Sequence, residues 1–254
     1  MAQAAQDHAG HPRRPVSVVA TASLVLALLA ALAAAAAGLG YRQGLWPLGT
    51  GFGMLRYAAY GGIAALAVAL PGIVLARPGG PRRGLYRALV ALVIGATMFG
   101  VLWNNLRSAM QVPPIHDITT DLEDPPAFVA VVPLRGEGSN SVAYGGETIA
   151  AQQRAGYPEI GPVEVDLAPA RVFDLALATA RDMGWQIVAA QPSEGRIEAT
   201  DTTFWFGFKD DVVIRIRALG GGARLDIRSV SRIGQGDAGT NAARIKAFLA
   251  ALEI

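Results

Sequence analysis

The chain of 254 residues contains no cysteine. That excludes a disulfide scaffold, a cysteine-ligated zinc or iron–sulfur centre, and a thiol nucleophile. Charge is scarce at 17% of residues, against about a quarter in ordinary soluble domains. Histidine occurs three times: His8 and His11 fall in a polar N-terminal stretch and His116 stands alone. With Asp117 and Asp121 as its only acidic neighbours, His116 falls short of a metal site with three ligands. Glycine shows no three-residue period, which excludes collagen. What is present is apolar surface: 52% of residues are hydrophobic and the mean hydropathy is +0.34. No metal and no cofactor is expected.

Acidic residues are nearly missing from residues 1–106, where Asp7 alone faces Arg13, Arg14, Arg42, Arg56, Arg77, Arg82, Arg83 and Arg87. The remainder is net acidic, so the formal charge of +2 describes neither half and gives no reason to expect nucleic acid as a partner. Only two lysines, Lys209 and Lys246, accompany the arginines in this alanine-rich chain, a bias typical of GC-rich bacterial genomes. Three uncharged runs, 16–39, 57–76 and 88–106, are each long enough as helices to cross a hydrocarbon core of about 30 Å. Small-residue cleavage sites at 33–37 would suit a signal peptide, but the first apolar stretch exceeds the usual core of about 7–15 residues. The arginines before span one and between spans two and three place the N-terminus and the second loop in the cytoplasm. Three crossings then send the C-terminal half to the periplasmic side of a bacterial inner membrane. Trp46, Tyr57 and Trp103 fall at the expected outer interface and Tyr86 at the inner one. The spans hold no ionisable side chain, which leaves an ion pathway without parts. Gly61, Gly62, Gly95 and Gly100 suit close helix packing, within the chain or against other membrane subunits.

The sequence divides accordingly: a tail at 1–15, membrane spans over 16–106, a proline-rich stalk leading into the domain over 107–162, and an α+β domain over 163–254. In the last part a strand at 163–167 precedes a helix opened by Pro169 and stopped by Gly184. Four strands follow, at 185–191, 196–208, 211–219 and 223–233, then a helix over 238–252 with Asp237 as a candidate cap. The order β-α-β-β-β-β-α predicts a mostly antiparallel sheet with two helices on one face. Two-residue turns at Lys209-Asp210 and Gly220-Gly221 would pair Trp205 with Ile214 and Ile216 with Leu225. Ile197, Ala199, Trp205, Ile214, Ile216, Leu225 and Ile227 then face the helices. The opposite face collects Phe204, Phe206, Phe208 and Val213 beside Glu198, Arg215, Arg217, Arg224, Asp226 and Arg228. The bland expectation for its charged half is a solvated ladder of cross-strand pairs. For the phenylalanines it is burial under the proline-rich segment. The functional alternative is a ligand or partner face formed by Phe204, Phe206, Phe208, Val213, Arg215, Arg217 and Arg228.

No catalytic set emerges. Asp210 and Asp211 would serve a hydrolase, but paired acids at a hairpin tip are usually solvated turn residues. Arg228, Arg232, Asp237 and Asn241 run from a strand end through a glycine turn to a helix start, where free amides and arginines could hold an anion. The competing reading makes Asp237 a cap and pairs the arginines with carboxylates.

Three segments carry a resemblance. Residues 115–121 (Ile-His-Asp-Ile-Thr-Thr-Asp), followed by Asp124-Pro125-Pro126-Ala127-Phe128, form an opening. Residues 205–215 (Trp-Phe-Gly-Phe-Lys-Asp-Asp-Val-Val-Ile-Arg) form a centre, and 228–241, from Arg228 through Gly234, Gly236 and Asp237 to Asn241, a closing signature. Over roughly 112–254 they resemble domain-of-unknown-function family 1499, in which Gln235 stands where a basic residue is expected. The resemblance implies a bacterial or plastid-related, often membrane-attached protein, and assigns no catalytic residue. The leading expectation is a non-catalytic accessory or scaffold subunit of a membrane complex, with the lipid bilayer and other subunits as partners. Binding of a lipid or amphiphile by the C-terminal domain is the alternative, and an envelope hydrolase the third.

Overall fold

A computed structural model describes residues 14–252; Asp7, His8, His11 and Arg13 lie outside the described residues. The chain divides between Asn104 and Asn105 into two compact units.

The first unit is built on helices α1 (Val18–Arg42), α2 (Leu48–Ala76) and α3 (Leu85–Met110), each long and apolar enough to cross a membrane. Helix α2 begins nine residues before the uncharged run at 57 and continues through Pro71. The seam between helices is made of small residues. Ala27, Ala65, Ala69 and Ala91 are fully buried, and a side chain at Gly72 would meet the Ala20 backbone at 3.2 Å. A Cβ at Gly95 would sit 2.7 Å from Leu66, so glycine there sets the helix spacing. The larger side chains, among them Leu29, Leu32, Leu70 and Val93, point outward. At one end Ser17 caps α1, its amide binds the Arg83 carbonyl at 2.9 Å, and Arg87 donates to Thr21 Oγ1 at 2.8 Å. This ties the start of α1 to the arginine-rich second loop.

The second unit is mixed α+β. Its strands are β1 (Asp117–Thr119), β2 (Val163–Val165), β3 (Gln186–Gln191), β4 (Arg196–Thr202), β5 (Lys209–Leu219) and β6 (Gly222–Ser231). Its helices are α4 (Gly146–Gly156), α5 (Pro169–Asp182) and α6 (Thr240–Ala251). The sheet runs β1-β6-β5-β4-β3, all antiparallel, with β2 also on β6. Pro169 opens α5 and Gly184, at φ +78°, follows its end. Val172, Phe173, Ala176 and Ala180 of α5 and Ile245 and Phe248 of α6 cover one sheet face. That face presents Ile197, Ala199, Val212, Ile214, Ile216, Leu225 and Ile227.

Two expectations are corrected. Residues 107–162 are not a stalk apart from the domain. β1 pairs with β6, α4 lays Ile149 against the main core, and Tyr157 and Ile160 belong to that core. Phe128 and Val131 from the same segment form a second, smaller core with Val213 and Val230. The fourth strand also ends at Thr202 instead of running to Phe208. Residues 203–208 form the turn: the Thr203 amide donates to the Phe208 carbonyl at 2.8 Å, the Phe208 amide to Thr203 Oγ1 at 2.9 Å, and Gly207 takes φ +69°. Ile197, not Trp205, therefore lies opposite Ile214. That displacement is eight residues, an even number, so the assignment of the β4 and β5 side chains to their two faces survives it.

Candidate functional site: the ionic face of the sheet

Alternation along β4, β5 and β6 puts Glu198, Asp211, Arg215, Arg217, Arg224, Asp226 and Arg228 on the face away from α5 and α6. The expected solvated ladder is corrected, because Glu198, Asp211 and Asp226 are fully buried. Residues 117–144 pack over this face and supply most of the partners.

At the β2 end, three arginines gather around the carboxylates of Asp121, Asp124 and Asp226. Arg215 Nη2 donates to Asp121 and to Asp226 at 3.1 Å each, and to the Asp124 carbonyl at 2.7 Å. Arg224 donates to Asp121 at 2.8 Å and to Asp226 at 3.2 Å, and Arg217 to Asp124 at 2.8 Å. The other Asp121 oxygen accepts the amides of Glu123 and Asp124. Burial pushes the Asp121 carboxyl up, but those two amides and the guanidiniums of Arg224 and Arg215 outweigh it. Its pKa ends below the ordinary 3.8.

Midway along β6, Arg228 forks onto Asp117 with contacts of 2.9 and 2.7 Å and donates to the carbonyls of Pro126 and Val142. Its guanidinium lies 5.2 Å from the Phe128 ring centre and 5.4 Å from that of Tyr144. Burial, and then the Asp117 charge, push the Tyr144 phenol up to about 12.

At the other end, Asp211 takes a fork from Arg232 at 2.9 and 2.8 Å, an ion pair from Arg135 and the Thr200 hydroxyl at 2.7 Å. Glu198 accepts the amides of Val129, Ala130 and Val131 between 2.9 and 3.1 Å and pairs with Arg196. Three successive amides form a ready anion cradle, and the chain fills it with its own carboxylate.

Near its Ser231 end, the helix-covered face carries a separate polar group. Arg244 of α6 bridges Asp201 and Asp210 at 2.8 and 2.6 Å, while Asn241 binds Ser229, Ser231 and the His116 carbonyl. Asp237 accepts the amides of Gly239 and Asn241 at 2.8 and 2.9 Å, closing the first turn of α6. Burial raises its pKa above the ordinary value, against the pull of those two amides.

The anion site expected from Arg228, Arg232, Asp237 and Asn241 is not assembled. Arg228 and Arg232 serve the ionic face, whereas Asp237 and Asn241 serve the helix side. Arg228 and Arg232 sit in ion pairs, and the expected cap is corrected: Gly239 is the N-cap of α6, and Asp237, two residues before it, accepts the Asn241 amide. Asp210 and Asp211 are buried strand residues aimed at opposite faces, not turn acids. The ligand face expected from Phe204, Phe206, Phe208, Val213, Arg215, Arg217 and Arg228 is divided as well. Val213 and the three arginines share the covered face, while the phenylalanines occupy the 203–208 turn. The partners that local reading could not supply are Asp117, Asp121, Arg135 and Asn140, because each meets residues 70 or more positions away.

Chemically, the face is balanced. Seven guanidiniums (Arg135, Arg196, Arg215, Arg217, Arg224, Arg228, Arg232) meet seven carboxylates (Asp117, Asp121, Asp124, Glu194, Glu198, Asp211, Asp226). Such a network locks a covering segment in one register, because any slip strands a buried charge. Among the described residues, no three histidines or acids gather as metal ligands.

No curated protein matches the chain in sequence. A family match covers residues 117–252, from the first strand and its Asp117 through the closing helix, under the description "protein of unknown function (DUF1499)"; the chain belongs to that family.

Proposed function

We propose that this is a membrane-anchored envelope protein whose C-terminal domain is a non-catalytic docking module of a larger membrane assembly. The observation that carries this reading is the internal balance of the ionic face. The buried carboxylates available for acid–base work there are held by arginines and backbone amides of the same chain, so they serve the architecture of the domain. The three apolar helices support the anchor. The distribution of arginines supports a cytoplasmic N-terminus and a periplasmic domain in a bacterial inner membrane. A hydrolase built on Asp210, Asp211 and Asp237 is disfavoured: Arg244 holds the first, Arg135 and Arg232 the second, and the amides of Gly239 and Asn241 engage the third.

The test is purification of the full chain from its native membrane in mild detergent. The proposal expects partner subunits at fixed stoichiometry through size exclusion. A clean monomer under several detergents would overturn it.

A further inference from the structure

We propose that the arginine-rich end of the helical unit is a binding site for the phosphodiester of an anionic phospholipid headgroup, held chiefly by Arg83 and Arg87. Residues 14–106 contain no Asp, Glu or Lys. Arg14, Arg77, Arg82, Arg83 and Arg87 all lie before α1 or between the end of α2 and the first turn of α3. This stretch therefore has no carboxylate of its own to pair with them. The backbone around them is fixed. Arg83 bridges Val16 in parallel: its amide donates to the Pro15 carbonyl at 3.1 Å, and its carbonyl accepts the Ser17 amide at 2.9 Å. The Arg82 amide donates to the Leu75 carbonyl at 3.2 Å and the Gly80 amide to the Arg77 carbonyl at 2.8 Å, which folds the loop back onto the end of α2. Arg87 donates through Nη1 to Thr21 Oγ1 at 2.8 Å, and the Thr21 hydroxyl donates to the Ser17 carbonyl at 3.0 Å. Arg83 and Arg87 thus converge on the start of α1. Next to them the three helices close on one another. A Cβ at Gly72 would meet the Ala20 backbone at 3.2 Å and the Ala88 Cβ at 3.3 Å, and Ala20 and Ala88 are fully buried. Little conformational freedom of this frame remains to be lost when a ligand arrives.

The electrostatics call for an anion. Arg87 is half-buried, and its contact with the neutral Thr21 oxygen uses one of a guanidinium's five N–H donors. A partly buried charge without a counter-ion is costly, and Arg83, four residues earlier, is exposed beside it. Planar guanidinium forks grip phosphate oxygens bidentately. What selects a lipid over a soluble anion is the surface that continues from these arginines. Val90 lies three residues after Arg87 on α3, and Val25 four residues after Thr21 on α1, so each shares a helix face with the polar contact. Both are exposed. A diacyl phospholipid meets guanidiniums at its phosphate and valines along its chains, whereas a soluble anion meets only the first.

The full chain, purified in mild detergent, is offered phosphatidylglycerol and phosphatidylcholine of identical acyl chains, and native mass spectrometry counts the lipids retained. Phosphatidylglycerol should be held about tenfold more tightly, roughly what one charge-assisted hydrogen bond contributes. Replacing both Arg83→Gln and Arg87→Gln should erase that preference while phosphatidylcholine is retained as before. Arg56→Gln, a charge loss within α2 where the guanidinium lies 5.4 Å from the Tyr57 ring centre, should keep the preference. Equal retention of the two lipids by the unaltered chain would overturn the proposal without recourse to any variant. So would a preference that survives the double substitution, or one that Arg56→Gln abolishes as fully, the mark of diffuse charge. Loss of both lipids from the double variant would make these arginines structural and would also overturn it. Inorganic phosphate at millimolar concentration should leave the lipid in place, and displacement would contradict a lipid site. The site lies within the helical unit and needs no other protein, so its failure is distinct from failure to recover partner subunits.

Discussion

At the scale of single residues, burial decides which charges matter. Asp211 is fully buried under two guanidiniums, so Asp211→Asn leaves Arg135 and Arg232 competing for a neutral amide. Breaking a buried pair by removing one partner costs about 3–5 kcal/mol, and denaturant unfolding of the full chain in detergent should show a loss of that order. A loss below about 1 kcal/mol, the range of an exposed pair, would mean that the face is open to water. Asp121 adds a pH signature. Its native pKa lies below the ordinary 3.8, so the unfolded chain binds the proton first as pH falls. The stabilisation is complete above pH 3.8 and is lost below it, as the native carboxyl titrates. Asp121→Asn should therefore destabilise the domain at neutral pH, with the gap to the unaltered chain closing below pH 3.8. A gap that stays constant into acid would contradict the assignment.

Elements explain what was legible in the sequence. The β5–β6 register followed from Gly220-Gly221, because a two-residue hairpin leaves one pairing. The β4–β5 turn was misplaced because Trp-Phe-Gly-Phe looks like a strand by propensity, and Lys-Asp looks like a turn. The tertiary setting instead lets Thr203 and Gly207 close the chain earlier. The segment around β1 read as a stalk because its prolines and glycines signal turns. Its real order comes from Asp117, Glu198 and Arg228 across long sequence separations, which no local pattern contains. Two element-scale predictions follow from these contacts. Glu198→Ala removes the acceptor for three amides, so hydrogen exchange should accelerate at Val129, Ala130 and Val131 while amides in β5 and β6 keep their protection. Gly222→Ala puts a Cβ 2.1 Å from the Val165 carbonyl. It should lower the melting temperature and expose the β2 amides, reversing the gain of about 0.4–1 kcal/mol that such a change brings where space permits.

For the whole molecule, the membrane half and the sheet half answer different questions. The apolar helices are long and apolar enough to serve as an anchor, with alanine and glycine seams packing them together and leucine and valine facing outward. The family domain gives a module whose ionic-face charges pair within the chain. What joins them in the proposal is sidedness: arginines gathered at the start of α1 and in the loop before α3 imply that the domain is delivered to the opposite compartment. A label that cannot cross membranes measures this directly. With Gly221→Cys as the only thiol, a membrane-impermeant maleimide added to intact spheroplasts should modify the full chain as completely as it does after detergent lysis. Modification that appears only after lysis would put the domain in the cytoplasm and contradict the account.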